Sequence, residues 1–282
     1  MNVRQLVPED APQLEVFLAS CRDSSMFLRA NARRGGLVYQ GQPFQATYVG
    51  AFRDGEVVGV VAHSSNGMLL VQAPEFVAEL AVACVDCSQR PVTGLTGPLQ
   101  HVDRATASLQ LAVANAKVHF DEWLYGLDLS DLVVPAALST GTMVCRAPHA
   151  GERGTLCAWR HAYNVEVLGA ADTAEARQRS AGYLDQQIAD GNVWVALDRG
   201  IPVSLSAFNA TLPDMVQLGG IYTPPELRGR GFAKVAVAAS LLAGRERGSE
   251  RAVLFTNNPS AARTYEALGF RRIGDYALIL LG

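Results

Sequence analysis

Two hairpin signals stand 145 positions apart in this sequence, counted from Gly55 to Gly200. Phe52–Ala62 sets Asp54-Gly55 between two apolar runs, and Val195–Ala207 does the same around Asp198-Arg199-Gly200. Turn residues of this kind between apolar runs are a strong short-range sign of a β-hairpin. The same prelude comes before each hairpin: a strand-like stretch, a proline, then a helical stretch. These are Val3–Pro8 with Leu14–Ser20, and Met143–Pro148 with Leu156–Leu168. After each hairpin, a strand ends in a Gly, Asn or Pro turn and a short helix follows, Thr96–Leu111 in one half and Thr256–Phe270 in the other. An internal period at this scale predicts one supersecondary unit built twice.

The length of 282 residues agrees, since domains average about 150 residues. Ser130–Thr142 is rich in Ser, Thr, Gly and Pro and suits a linker. We therefore expect domains at 1–140 and 141–282. The two copies are unequal. Arg104 falls opposite Arg263 at a spacing of 159, so the second half has about 14 more residues between its hairpin and its last helix.

Composition excludes several classes. Apolar residues make up 49% of the chain, within the globular range, so a disordered or collagen-like chain is ruled out. With 24 Lys+Arg against 27 Asp+Glu there is no basic footprint for nucleic acid. No apolar run approaches the roughly 20 residues of a spanning helix, and Met1–Glu9 lacks the apolar core of a signal peptide. The expectation is a cytoplasmic protein, without membrane or nucleic-acid partners, as a monomer or homodimer. Five cysteines fit reduced thiols. Cys84-Val-Asp-Cys87 has metal-ligand spacing, but no second Cys or Cys/His pair completes four ligands, so no metal is expected. The five histidines are scattered, with no pair at metal spacing.

The longer second half contains Met215–Leu242, which reads as strand, loop and helix. Val216–Thr223 is strand-like and Pro224-Pro225 stops it. Gly229 and Gly231 make a tight turn. Phe232, Val235, Ala236, Ala239 and Leu242 then recur on one helix face. A Gly-rich turn opening a helix presents unpaired N–H groups and a positive dipole end to an anion, and Arg228 and Arg230 add charge. The dinucleotide fingerprint fails because Lys234 stands at its third glycine, and the nucleoside-triphosphate loop is absent.

What remains, Arg228-x-x-Gly231-x-Ala233, resembles the phosphate loop of the GNAT superfamily of acetyl-CoA-dependent N-acetyltransferases. Farther on, Asn258, Ala261, Tyr265, Gly269 and Phe270 resemble the same family's N-x-x-[SA]-x-x-x-Y-x-x-x-G-F pattern, without gaps. The resemblance covers about residues 144–282. It implies an α/β (α+β) fold of tandem GNAT-like domains, each with a mixed, mostly antiparallel central sheet flanked by helices. The first domain would be degenerate and the second catalytic. It also implies acetyl-CoA as co-substrate, held by Ile221, Tyr222 and Thr223 along its pantetheine arm. Arg228, Gly229, Arg230, Gly231, Phe232 and Ala233 would hold its pyrophosphate, and Asn258 would stand beside them. Asn258 also reads as a helix N-cap with Pro259 in the first turn, and Gly269 as a C-cap.

Acyl transfer to an amine needs a proton for the departing thiolate, and the resemblance places Tyr265 in that role; a core-packing tyrosine is the other reading. Backbone N–H groups near Gly219-Gly220, where a bulge is expected, would meet the acyl oxygen. Many family members carry a Glu on this strand, but 216–223 contains no acid. Glu166 is the candidate base or ammonium ligand, because Trp159, Tyr163 and Glu166 share one helix face; an exposed surface glutamate is the alternative. The Arg245, Arg247, Arg251 cluster reads as a solvated helix end or as a neighbour of the CoA 3′-phosphate. The expected reaction is direct attack in a ternary complex. Its acceptor is a primary amine, either a small amine or amino acid, or else a protein N-terminus or lysine. The alternatives are an acyl-CoA-binding module without turnover and an acyltransferase for longer acyl chains.

The first half lacks the phosphate loop. Glu75–Glu79 is acidic where the second half is basic, and Thr106 stands opposite Tyr265. That half is expected to cover the acceptor site, with Ser24–Phe27 and Trp123–Tyr125 contributing, or to be purely structural.

Overall fold

In the computed structural model, which describes residues 2–282, the two predicted hairpins close with the same turn. Asp54 and Gly55 have φ of 53° and 87°, Arg199 and Gly200 of 50° and 80°. Positive φ at both central residues gives the two-residue turn whose twist matches the flanking strands.

By packing, one unit holds the chain up to Leu124 together with Gly274–Gly282, and the other holds Tyr125–Ile273. The division thus falls ahead of the boundary expected near residue 140, and the last strand of the chain joins the first unit. The Ser, Thr and Gly-rich stretch that suggested a linker holds a short helix inside the second unit.

The first unit contains β1 (Asn2–Gln5), α1 (Ala11–Ser20), α2 (Met26–Gly35), β2 (Ala46–Arg53), β3 (Glu56–Ser64), β4 (Met68–Gln72), α3 (Val77–Ser88), β5 (Gly94–Pro98) and α4 (Leu99–Ser108), with most of β6 (Val118–Asp128). β1 to β4 pair antiparallel in sequence order, and β4 pairs parallel with β5. Side-chain alternation decides which helices cover which face. Tyr48, Val60, Ala62 and Leu70 pack with Leu14, Leu18 and Leu28 of α1 and α2. Val49, Ala51, Val61, Leu69 and Val71 pack with Leu80, Cys84 and Val102 of α3 and α4. Neighbouring strand residues face opposite layers, as the period of two requires.

The second unit contains α5 (Ala136–Ser139), β7 (Val144–Arg146), α6 (Arg153–Leu168), α7 (Ala174–Ala189), β8 (Val193–Asp198), β9 (Ile201–Thr211), β10 (Met215–Tyr222), α8 (Phe232–Glu246), β11 (Arg251–Thr256) and α9 (Pro259–Glu266). The final strand, β12 (Arg271–Leu280), begins here. β7 to β10 pair antiparallel, and β10 pairs parallel with β11. Val193, Val195 and Leu197 pack under Leu156 of α6 and Leu184 of α7, while Ala196 faces Phe232, Val235 and Ala236 of α8.

Both units therefore share a mixed, mostly antiparallel sheet with helices on its faces. They also share the parallel pair β4–β5 or β10–β11 at corresponding places. The sheet of the first unit closes with a strand from the far end of the chain, where β5 pairs antiparallel with Tyr276–Leu280 of β12. Local periodicity carries no information about that pairing.

Nine residues, 223–231, separate β10 from α8, where four, 73–76, separate β4 from α3. The extra length of the second copy is therefore only partly in the loop before α8; longer strands and a longer helix take up the rest. Among the described residues no helix is long and apolar enough to cross a membrane. Cys84 is buried, its thiol facing the carbonyls of Thr47 and Val61 and pushed up to about 12 by burial, while Cys87 is exposed.

Candidate active site

β10 and β11 stay in register only from Met215↔Arg251 to Gln217↔Val253, although β10 continues to Tyr222 and β11 to Thr256. Beyond that point the two parallel strands lose their pairing, and each runs into a helix, α8 or α9. The carboxyl ends of parallel strands are where open sheets admit ligands.

On its other edge β10 pairs with β9, with register shifts between Gln217 and Leu218 and between Gly219 and Tyr222. The expected bulge at Gly219-Gly220 is therefore present, and Gly220 has φ of +65°. Both glycines also serve close approach. A Cβ at 219 would collide with Asn209, and one at 220 with the guanidinium of Arg160. The strand end is pinned by Ser204, whose hydroxyl donates to the Tyr222 carbonyl at 3.1 Å and lies 2.8 Å from the Thr223 hydroxyl. Tyr222 is buried and Ile221 and Thr223 are half-buried.

The loop that follows is exposed at Arg228, Gly229, Arg230 and Gly231, and Phe232 buries the start of α8 in the core. Gly229 and Gly231 have φ of 77° and 80°, which favours glycine, and Gly231 is the N-cap of α8. No side chain caps this helix, so the N–H groups of its first turn, Phe232 and Ala233 among them, have no intrahelical acceptor. A Cβ built on either glycine meets no protein atom, so the space above the loop is open.

Arg228 is held from two sides. Its Nε donates to the Thr223 carbonyl at 2.9 Å, and Nη2 donates to Glu166 Oε2 at 2.7 Å, with both side chains 45% exposed. The Arg228 guanidinium holds the Glu166 carboxyl below the usual range. Glu166 is expected as a base or ammonium ligand on a face shared with Trp159 and Tyr163, or else as an exposed surface glutamate. An ion-paired carboxylate is a poor base near neutrality, and here it anchors the arginine of the loop between β10 and α8. The three residues do share a helix face, yet they reach different surroundings. Trp159 packs on the core, and Glu166 stands seven residues, about 10 Å, farther along the axis.

Beyond β11, Asn258 Oδ1 accepts from the N–H of Ser260 at 2.8 Å and of Ala261 at 3.3 Å, and Pro259 opens α9. Asn258 is thus the predicted N-cap, and its amide NH2 is what it can offer a ligand. α9 carries Tyr265 on its buried side, against the edge of Phe270 with ring centroids 6.0 Å apart. Gly269 takes φ of 101° just past the helix end. Tyr125, expected at the acceptor site, is buried and its hydroxyl donates to Glu266. Of the basic cluster, Arg245 donates to the Leu129 carbonyl, Arg247 to the Gly191 carbonyl and Arg251 to Asp128. All three therefore make contacts within the protein.

The first unit shows what is missing when the loop is short. Phe76 takes the left-handed N-cap position of α3, and Glu75 beside it pairs with Arg53. Opposite Tyr265, the Thr106 hydroxyl donates to the Val102 carbonyl inside α4.

Sequence reasoning missed Arg160. It lies on α6 with 7% exposure, and a helix that also carries Arg153 makes one more arginine unremarkable. Among the described residues no group of three His, Cys, Asp or Glu side chains is placed to hold a metal.

Comparison with known proteins gives concordant results. Residues 158–270 match the model of the acetyltransferase (GNAT) family. An acetyltransferase of Agrobacterium fabrum is 41% identical over 55 residues, which are 20% of this chain and 40% of that protein's length. Among solved structures, a GNAT-family acetyltransferase from Colwellia psychrerythraea superimposes with a TM-score of 0.54 at 14% identity, covering 100% of both chains. A tandem GNAT protein from the clavulanic acid biosynthesis pathway gives 0.57 at 13% identity, covering 100% of this chain and 98% of its own. Parted parallel strands, an uncapped glycine-led helix and the Asn258-to-Phe270 pattern thus coincide with residues 158–270, the region that matches the acetyltransferase (GNAT) family.

Proposed function

We propose that the second unit transfers an acetyl group from acetyl-CoA to a primary amine. The observation that carries this reading is the parting of β10 and β11 beside the uncapped, open N-terminus of α8. The residues present fit acetyl-CoA. The N–H groups opening α8, the two left-handed glycines and Arg230 suit a pyrophosphate, and Arg228 can add a donor when it leaves Glu166. Ile221, Tyr222 and Thr223 line the approach along β10. Bound acetyl-CoA supplies an acyl group already activated as a thioester.

The chain's own residues do the rest. The Gly219–Tyr222 bulge releases backbone groups of β10 from the ladder with β9, where they can meet an acyl oxygen. Tyr265 holds a phenolic proton at the end of α9 and donates it to the departing thiolate, while the attacking amine gives up its own proton to solvent. Glu166 holds Arg228 in place until an anion claims it. The acceptor in this reading is a small molecule bearing an amine.

Calorimetric titration with acetyl-CoA, followed by thiol release against an amine panel, tests the reading. Binding and thiol release are expected, and absence of acetyl-CoA binding refutes the proposal. A binding module without turnover is the second reading, favoured by the ion pair that engages Glu166 and by a β10 strand without an acid. Tight binding with no thiol release on any amine selects it.

A further inference from the structure

The most unusual charge in the second unit is the Arg160 guanidinium. It is 7% exposed, and its Nε and Nη1 are buried with no protein acceptor. Three carboxylates on or between α6 and α7 are engaged with other cations. Glu166 pairs with Arg228, Asp172 with His161 and Arg177, and Asp185 with Arg153. A buried charge without a counter-ion is costly, and two aromatic faces only partly offset that cost. Those faces are Tyr163 and Tyr183, with the guanidinium carbon 5.3 Å and 4.5 Å from their ring centroids.

The surroundings make a site of this group. α6 packs against β10, and the guanidinium occupies the place that a side chain at Gly220 would fill. It therefore lies directly on the bulged backbone to which the proposed reaction assigns the acyl group. Asn209 borders the same bulge and approaches the Tyr183 hydroxyl at 3.5 Å. Tyr183 is 42% exposed, so this flank of the cluster reaches the surface. Bulge, tyrosines and guanidinium belong to one unit.

We infer that Arg160 is a specificity-determining residue that binds the carboxylate of the acceptor, so that the preferred amine is an amino acid. This rests on the acetyl-transfer reading of the same site. A guanidinium with unpartnered donors matches a carboxylate in charge and geometry. Its contact with Gly220 keeps that carboxylate close to the reacting amine, which favours an acid and an amine on the same small molecule over a lysine on a protein surface.

The test measures kcat/KM by thiol release for L-amino acids and for the matching carboxamides, with wild type, Arg160→Gln and Arg160→Lys. Wild type is expected to favour the free acid by about 100-fold, in line with the cost of truncating one partner of a buried charged pair. In Arg160→Gln that ratio falls to near one, mainly through KM, and in Arg160→Lys it is partly kept. A wild-type ratio near one, or a ratio unchanged in Arg160→Gln, overturns the inference. So does a tenfold loss of acetyl-CoA affinity in Arg160→Gln, which would assign the guanidinium to the cofactor. If Arg160→Gln fails to fold, the wild-type ratio and Arg160→Lys still decide. Calorimetric binding of the amino acids to wild type, lost in Arg160→Gln, reports the carboxylate site even if acetyl-CoA does not bind. Turnover of amides without preference for acids would sink this inference alone and leave the acetyl-transfer reading standing.

Discussion

Replacing Glu166 by Gln removes the anion that holds Arg228 and separates two roles for the carboxylate. The pair is short, 2.7 Å, but both side chains are 45% exposed, so solvent screens it. Two unit charges about 4 Å apart attract by about 1 kcal/mol in water, and exposed pairs measure roughly 0.2–1 kcal/mol. Arg228 also keeps its bond to the Thr223 carbonyl, so Glu166→Gln should lower global stability by less than about 1 kcal/mol. The same quantity bounds what an incoming pyrophosphate must overcome to draw Arg228 away. Acetyl-CoA affinity should therefore rise, by no more than about fivefold.

The sign of the pH dependence follows from the hydrogen bond that Arg228 donates to Glu166, which keeps this carboxyl below its usual range. The stabilising contact is present above the unfolded carboxyl range and is lost as pH falls through the depressed folded value. Around neutrality the effect of the substitution should be flat. Calorimetric titration of acetyl-CoA into both proteins, with thiol release at saturating acetyl-CoA, checks the argument. A 100-fold fall in turnover would refute it, because Glu166 would then be accepting a proton despite its partner. Weaker acetyl-CoA binding would refute it too, because Glu166 would then be presenting Arg228 to the ligand.

Tyr265→Phe keeps the contact with Phe270 and removes only the hydroxyl. Thiol release should fall roughly 100-fold or more, while acetyl-CoA affinity stays within a factor of about three; unchanged turnover across pH would remove its catalytic role. Asn258→Ala strips the cap from an eight-residue helix and should cost about 1 kcal/mol in urea unfolding, with Asn258→Asp close to wild type. Leu156→Ala empties a fully buried position under β8 and should cost about 2–5 kcal/mol by the same measurement. Glu152 accepts from Arg146 and from the His149 N–H, chiefly the former holding its carboxyl below the usual range. Its stabilisation should be lost as pH falls into the acid range through the depressed folded value. Glu152→Gln should flatten the acid limb of the stability curve, measured by urea midpoints from pH 3 to 7.

The parts of this protein that obey short-range rules were legible in its sequence. Asp54-Gly55 and Arg199-Gly200 form the expected turns because glycine accepts left-handed φ freely, and Gly55 and Gly200 can be read directly. Asn258-Pro259 starts a helix and Gly269 follows its end for equally local reasons. The helix face of α8 and the bulge at Gly219-Gly220 belong with these, each settled within about a dozen residues of chain. The repeat is the same set of local signals met twice.

Only the tertiary structure decided what meets across the sheet. The sequence spacing of Trp159, Tyr163 and Glu166 describes one helix face but not how far the sheet beneath it extends. Glu166 therefore meets Arg228, 62 positions away, while Trp159 meets the core. The strand that completes the first unit is the last in the chain, a choice made by register and layer packing, which no local pattern encodes. Gly220 reads in the sequence as a bulge residue, which it is. That it also makes room for a buried, unpartnered arginine from α6 follows only from the packing of that helix on β10. Such pairings depend on the summed geometry of many elements, and a side chain's chemistry is set by those neighbours rather than by the residues beside it in the chain.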